Sequence, residues 1–239
     1  MTDLNPTQET IVRNIAMTSV GLLVHTGLGD DLFGFKPAGS GVVCELPKGT
    51  VVILTAAHVL EHLREYELAG VYGIPSANPN IRPAQFSTEH MDYISFPSTS
   101  DPSDGPDIAV LKLPHDTNGW LKSWRNLYNV QKRMNNKIRE DEEFLDTALV
   151  GLPSTAYSRL VSQDGITRRD EHTLMVAPGA ISNGETLADG FDRFEYRCNH
   201  GGTGPDTYQG VSGGGVWIFN GDDATVLPRL AGIAYHQSD

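Results

Sequence analysis

The run Val51-Val-Ile-Leu-Thr55 packs four β-branched side chains into five residues, which predicts a buried β-strand. The chain leaves it through Ala56-Ala57-His58-Val59. A histidine behind two small alanines, just past a rigid strand, has little bulk around it and a fixed approach to a neighbouring site. A general base needs that hold, because proton transfer requires a partner within hydrogen-bond reach. A histidine capping a short helix fits the same residues. The remaining segments decide between the two.

Strands of the same kind recur along the chain. Val20–Gly27, Gly39–Leu46 and Ile108–Leu113 read as strands in the first half, the last stopped by Pro114. Residues 5–16 read as a short helix, and residues 60–70 as one or two helical turns ending at Gly70. From 71 to 106 the chain is rich in Pro, Ser and Asn, with a short apolar patch at Tyr93–Phe96. Trp120 to Leu145 then holds no Gly or Pro and carries charge throughout, which predicts a helical connector. Short strands follow at Ala148–Leu152, Arg159–Ser162, Thr173–Val176, Arg193–Cys198, Val216–Phe219 and Leu230–Ala234. Many short strands on either side of one helical segment suggest two β-barrels and exclude an alternating βαβ sheet.

Charge excludes one large class of function. The net charge is -12, and the 18 Lys and Arg residues are too few to build the basic face that nucleic-acid binding requires. No segment reaches the ~20 apolar residues needed to cross a bilayer, and the start of the chain lacks the pattern of a secretory signal. Two cysteines, Cys44 and Cys198, are no disulfide framework. These features favour a reducing, cytoplasmic location.

Two further segments carry chemistry. In Gly105-Pro-Asp107-Ile-Ala-Val-Leu a carboxylate precedes an apolar strand, at a barrel rim where it can orient a histidine through its ring N–H. A plain Pro-Asp turn is the other reading. In Gly210-Val-Ser212-Gly-Gly-Gly215-Val-Trp a serine sits among four glycines. Glycine reaches backbone angles closed to other residues, so successive N–H groups can converge on one point, as in an oxyanion hole. The apolar strand directly behind it argues for a fixed loop over a flexible one.

Leu54-Thr-Ala-Ala-His58, Asp107-Ile-Ala-Val-Leu and Gly210-Val-Ser212-Gly-Gly together resemble the three signature segments of trypsin-like (chymotrypsin-fold) serine peptidases, in that family's order. The resemblance implies an all-β fold of two antiparallel six-stranded-type barrels joined by a helical connector, with the active site in the cleft between them. An N-terminal barrel over residues 17–115 would carry His58 and Asp107. The connector would span 116–146 and a C-terminal barrel 147–239. His58 is then the general base, Asp107 its orienting carboxylate and Ser212 the nucleophile. The Gly210 and Ser212 amides form the oxyanion hole, and neither metal nor cofactor takes part.

The departures from the family pattern matter as well. Relatives activated by cleavage carry an Asp just before the serine to pair with a new N-terminus, whereas this chain has Val211. The resemblance therefore implies activity without N-terminal cleavage. The position after the histidine, often a disulfide cysteine in secreted relatives, is Val59. Asp206, six residues before Ser212, falls at the base of the family's side-chain pocket and implies cleavage of protein or peptide substrates after Arg or Lys. Gly232-Ile-Ala-Tyr235-His-Gln237 resembles the substrate-pairing strand, with Gln237 where the family usually has glycine. Asp239 comes where the family continues into a further strand and helix. Either another segment of a longer protein completes the second barrel, or that barrel closes differently.

Three other readings compete. His58-Val-Leu-Glu61-His62 matches an inverted zinc-peptidase motif, with Glu140 or Glu142 as a distant ligand, but it leaves the Asp107 and Ser212 segments without a role. Gly210–Gly214 also fits the G-x-S-x-G elbow of α/β-hydrolases, a fold whose Asp and His must follow the serine. The third is a double barrel that binds peptide without cutting it.

Overall fold

The computed structural model describes residues 5–27, 34–73, 83–96, 106–134, 146–154, 157–161, 168–172, 175–187, 190–199 and 210–235. Helix α1 (Pro6–Thr18) opens with a reciprocal cap. Gln8 N–H donates to Asn5 Oδ1 at 2.9 Å, while Asn5 N–H donates to Gln8 Oε1 at 3.1 Å. Ile11 and Ile15, one turn apart, lie on its buried face.

Strands β1 (Ser19–His25), β2 (Phe35–Glu45) and β3 (Val51–Thr55) follow, then helix α2 (Ala57–Arg64). Strands β4 (Leu68–Gly73), β5 (Ala84–Ser87), β6 (Asp92–Phe96) and β7 (Ile108–Lys112) complete the first sheet. The order along its main path is β5-β4-β1-β2-β3-β7-β6, each neighbouring pair antiparallel. The two strands that end this path, β5 and β6, are consecutive in the chain and joined by the tight turn at Thr88–His90. The short link between its two end strands requires the sheet to curl.

The period-2 alternation of β2 and β3 explains why both read as continuous apolar runs. Val43, Val51 and Ile53 point into the first barrel with Val20, Leu22 and Val71, and Val59, Leu60 and Leu63 of α2 close its end. Val42, Cys44 and Val52 point the other way, into a second core shared with Ile11 and Ile15 of α1 and with Ala148, Val150, Trp217 and Phe219. Both faces are buried, one inside a barrel and one between the two sheets.

The expected helical turns over residues 60–70 stop early. The helix ends at Arg64, and Leu68 to Gly73 is strand β4, because Ala69 and Val71 bury against β1 and β5. The connector also differs from expectation. Helix α3 runs only from His115 to Trp124, and Arg125 turns extended. Tyr128–Asn129 forms strand β8, pairing parallel with Cys44–Glu45 of β2, and Asn129 Nδ2 donates to Glu45 Oε2 at 2.7 Å. Helix α4 (Val130–Met134) follows, and residues 135–145 lie outside the described residues. Tertiary pairing has overridden a local helical pattern.

Strands β9 (Asp146–Gly151), β10 (Tyr157–Val161), β11 (Arg168–His172), β12 (Met175–Thr186), β13 (Asp192–Cys198), β14 (Gly215–Phe219) and β15 (Arg229–Ile233) make up the rest. Five of them form a second antiparallel sheet in the order β13-β12-β9-β14-β15, and β10 and β11 pair as a separate hairpin. Strand β12 extends ten residues beyond the four-residue expectation ending at Val176, and β11 had no counterpart in the sequence reading. The architecture is mostly β: two curled antiparallel half-barrel sheets with few helices, as in the chymotrypsin-like double barrel.

Candidate active site

His58 sits in the first turn of α2, directly after β3. Ala56 and Ala57 are fully buried and leave room for the imidazole to emerge, with its side chain 46% exposed. Asp107 lies just before β7, and Thr55 of β3 pairs with Ala109 of β7. That register sets the end of β3 beside the start of β7. Asp107 is buried and grips His58 twice. The backbone N–H of His58 donates to Oδ1 at 2.9 Å, and the imidazole Nδ1 meets Oδ2 at 2.5 Å. A carboxylate on Nδ1 leaves Nε2 as the ring nitrogen turned away from it.

Ser212 belongs to a loop of the second sheet, on the stretch leading into β14. The residues on either side, Val211 and Gly213, are buried, and Ser212 itself is partly exposed. Two positive φ angles shape the loop, +89° at Gly210 and +85° at Gly213. Gly214 N–H donates to Val211 C=O at 2.7 Å and closes the turn. Gly213 N–H donates to Ala234 C=O at 2.7 Å, and Ala234 N–H donates to Gly214 C=O at 2.9 Å, so the turn is stitched to the residues just after β15.

The loop meets the first barrel at the strand that precedes His58. Ser40 N–H of β2 donates to Ser212 C=O at 2.7 Å, and Thr55 Oγ1 donates to Ser40 C=O at 2.7 Å. A Cβ placed on Gly39 would fall 2.6 Å from a Val59 methyl and 3.0 Å from the Ser212 carbonyl oxygen. Val59 and Ser212 therefore border the same narrow gap. The residues next to His58 and the backbone of Ser212 face each other across the junction between the sheets.

Other residues singled out from the sequence fall as follows. Val211 is buried among Leu149, Ala177 and Val216, an apolar setting with no place for an ammonium group. Tyr235 is half-buried and packs against the core of the first barrel. Asp206 and Gln237 lie outside the described residues. On α2, the Nδ1 of His62 meets Glu65 Oε2 at 3.1 Å, while His58 Nδ1 is taken by Asp107. Among the described residues no three His, Cys, Asp or Glu side chains converge as a metal site, and Glu140 and Glu142 fall outside them. Cys44 and Cys198 are free thiols, and burial pushes them up to about 12 and about 11 respectively. Among the described residues no helix is long and apolar enough to cross a membrane.

The sequence reading missed Ser40 and Leu152, which clamp the serine loop from outside. The signal for Ser40 was the glycine on each side of it within a strand, a pattern that marks close backbone approach.

No protein-family model and no curated protein sequence matches the chain. Among solved structures it is similar to the serine endoprotease from Yersinia pestis, with 18% sequence identity and a TM-score of 0.40, over 90% of this chain and 54% of that one. The chain thus spans about half the length of that structure.

Proposed function

We propose that the chain is a serine endopeptidase working through an acyl-enzyme. His58 Nε2 removes the proton from Ser212 Oγ as that oxygen bonds to the scissile carbonyl carbon. The Gly210 and Ser212 amides receive the developing oxyanion. The C–N bond then breaks, with the proton passing from His58 to the leaving amine, and water repeats the sequence to free the acyl group. Asp107 holds the imidazole in the required tautomer and orientation.

The observation that carries this reading is the double grip of Asp107 on His58, located where the Ser212 loop docks on the first barrel. A triad carboxylate must hold the ring N–H of its histidine, and Asp107 does so while also accepting from the His58 amide.

The finer parts of the proposal rest on the family resemblance. Asp206 would select Arg or Lys before the cut, Tyr235 and Gln237 would border the substrate strand, and the enzyme would need no N-terminal cleavage. The test is labelling by a fluorophosphonate, with the modified peptide mapped. The proposal expects adduct on Ser212, lost in His58→Ala. Adduct elsewhere, or equal labelling in His58→Ala, refutes it. For specificity, Asp206→Ala should lose cleavage after Arg more than a hundred-fold, and equal rates would remove that assignment.

A further inference from the structure

Ser40 is buried in β2, in the first barrel, yet most of its polar atoms serve the loop of the second sheet. Its N–H donates to Ser212 C=O at 2.7 Å. Its Oγ donates to Gly210 C=O at 2.9 Å and accepts from Leu152 N–H at 2.7 Å. Its own C=O accepts from Thr55 Oγ1 at 2.7 Å. A hydroxyl has one proton to give, so donating to Gly210 while accepting from Leu152 fixes its rotor.

From this arrangement we infer that the Ser40 hydroxyl is a positioning residue for the acyl-transfer site, an inference that rests on the peptidase reading above. The hydroxyl pins the plane of the Gly210–Val211 peptide. The Gly210 amide belongs to the peptide unit just before it in the chain and the Ser212 amide to the unit just after. A loop of glycines has little stiffness of its own, so the aim of these two donors must come from neighbours. The neighbours are close. A Cβ on Gly210 would lie 2.7 Å from Ser154 N and 2.9 Å from Leu152 O, so the loop presses flat against residues 152–154. Leu152 N–H and Gly210 C=O belong to the two segments so pressed together, and the Ser40 hydroxyl bridges them.

Thr55 extends the chain of contacts to the other half of the site. It ends β3, three residues before His58, and holds the Ser40 carbonyl. Through Ser40, the strand that presents the base and the loop that presents the nucleophile share one buried hydrogen-bonded junction. A relaxed loop would still bind substrate but would meet the oxyanion with misaimed donors, so the loss should fall on kcat and leave KM nearly unchanged.

The experiment compares the parent with Ser40→Ala and with Val43→Ala, a cavity variant inside the first barrel that touches none of these groups. Three quantities are read: the fluorophosphonate labelling rate, kcat and KM on a peptide substrate, and amide hydrogen exchange at Leu152. Ser40→Ala is expected to label and turn over roughly ten-fold slower at unchanged KM, with faster exchange at Leu152. Val43→Ala, though destabilised, should label at the parent's rate. Labelling of Ser40→Ala within two-fold of the parent, even with Leu152 exchanging faster, would make Ser40 a structural strap and overturn the role. A parent that takes no label would fall with the peptidase reading itself; in that case faster exchange at Leu152 would assign Ser40 to packing alone.

Discussion

His58 and Asp107 are joined by two contacts that do different work: a backbone N–H to Oδ1 at 2.9 Å and a ring nitrogen to Oδ2 at 2.5 Å. The first fixes where α2 begins relative to β7. The second fixes which way the imidazole faces. One buried carboxylate thus sets the position and the orientation of the imidazole.

Asp107→Asn should separate these tasks. The amide oxygen can still accept from the His58 backbone, but its NH2 group meets the ring as a donor and favours the wrong tautomer. We expect kcat/KM to fall by about 10³–10⁴, as for other triads, with the melting temperature changed little. Steady-state kinetics alongside thermal unfolding checks it. Activity within ten-fold of the parent would remove Asp107 from the mechanism.

Two glycines should respond to alanine in opposite directions. Gly213 has a φ of +85°, and a Cβ there would run into Ser40 O and Thr55 Oγ1. Gly213→Ala should lose at least about 1–3 kcal/mol from backbone strain alone, and labelling of Ser212 with it. Gly119 lies within α3, and a Cβ there meets nothing within 4 Å. Gly119→Ala should gain about 0.5–1 kcal/mol from helix propensity. Urea unfolding of the two variants decides, and equal effects would contradict the described loop.

Much of this was legible in the sequence, for a physical reason. Val51–Thr55 reads as a strand because both its faces are buried, and the runs around Val20, Ile108 and Val216 are similarly β-rich. The segment around Asp107 alone fits a Pro-Asp turn equally well, and its contact with His58 was implied only by the resemblance of the three segments taken together. What failed to show was long-range. Nothing local to Leu68–Gly73 says that it pairs with β1, nor does Tyr128–Asn129 advertise β2 as its partner. Ser40 was hidden for the same reason. Its meaning lies in Leu152 and Gly210, each more than a hundred residues away. Gly39 and Gly41 were the visible trace, since side chains there would strike Val59 and Ile53.

Alkaline pH should reveal the buried thiol. Burial raises Cys44 from an ordinary 9.0 to about 12. Between those values the folded protein keeps the proton and the unfolded chain has lost it. Its contribution to stability is therefore complete below about pH 9 and shrinks as pH rises, with a limiting slope of about 1.4 kcal/mol per pH unit. Cys198 and Tyr196, also raised by burial, act in the same direction, whereas Arg125, lowered to about 10, acts in the other. Comparing the parent with Cys44→Ala cancels those groups. The parent's advantage at pH 8 should shrink by pH 10.5 in chemical denaturation, and a pH-independent gap would refute the assignment.

Val211 sets the last expectation. It is 1% exposed and packs with Leu149, Ala177 and Val216, directly before the proposed nucleophile. An ammonium group brought there would be stripped of water, and among the described residues of that cluster there is no carboxylate to receive it, a cost of several kcal/mol. On the proposed reading, the site is expected to need no newly cut N-terminus. Extending the chain ahead of Met1 with a short polar tag should leave the fluorophosphonate labelling rate within two-fold of the untagged chain, before and after the tag is removed. The reciprocal variant Val211→Asp should not install such a switch. It would bury an unpaired carboxylate and lower the melting temperature by ten degrees or more, roughly what a loss of 3–5 kcal/mol does to a domain of this size. A labelling rate that rises many-fold on tag removal would show that the loop is completed by the N-terminus after all.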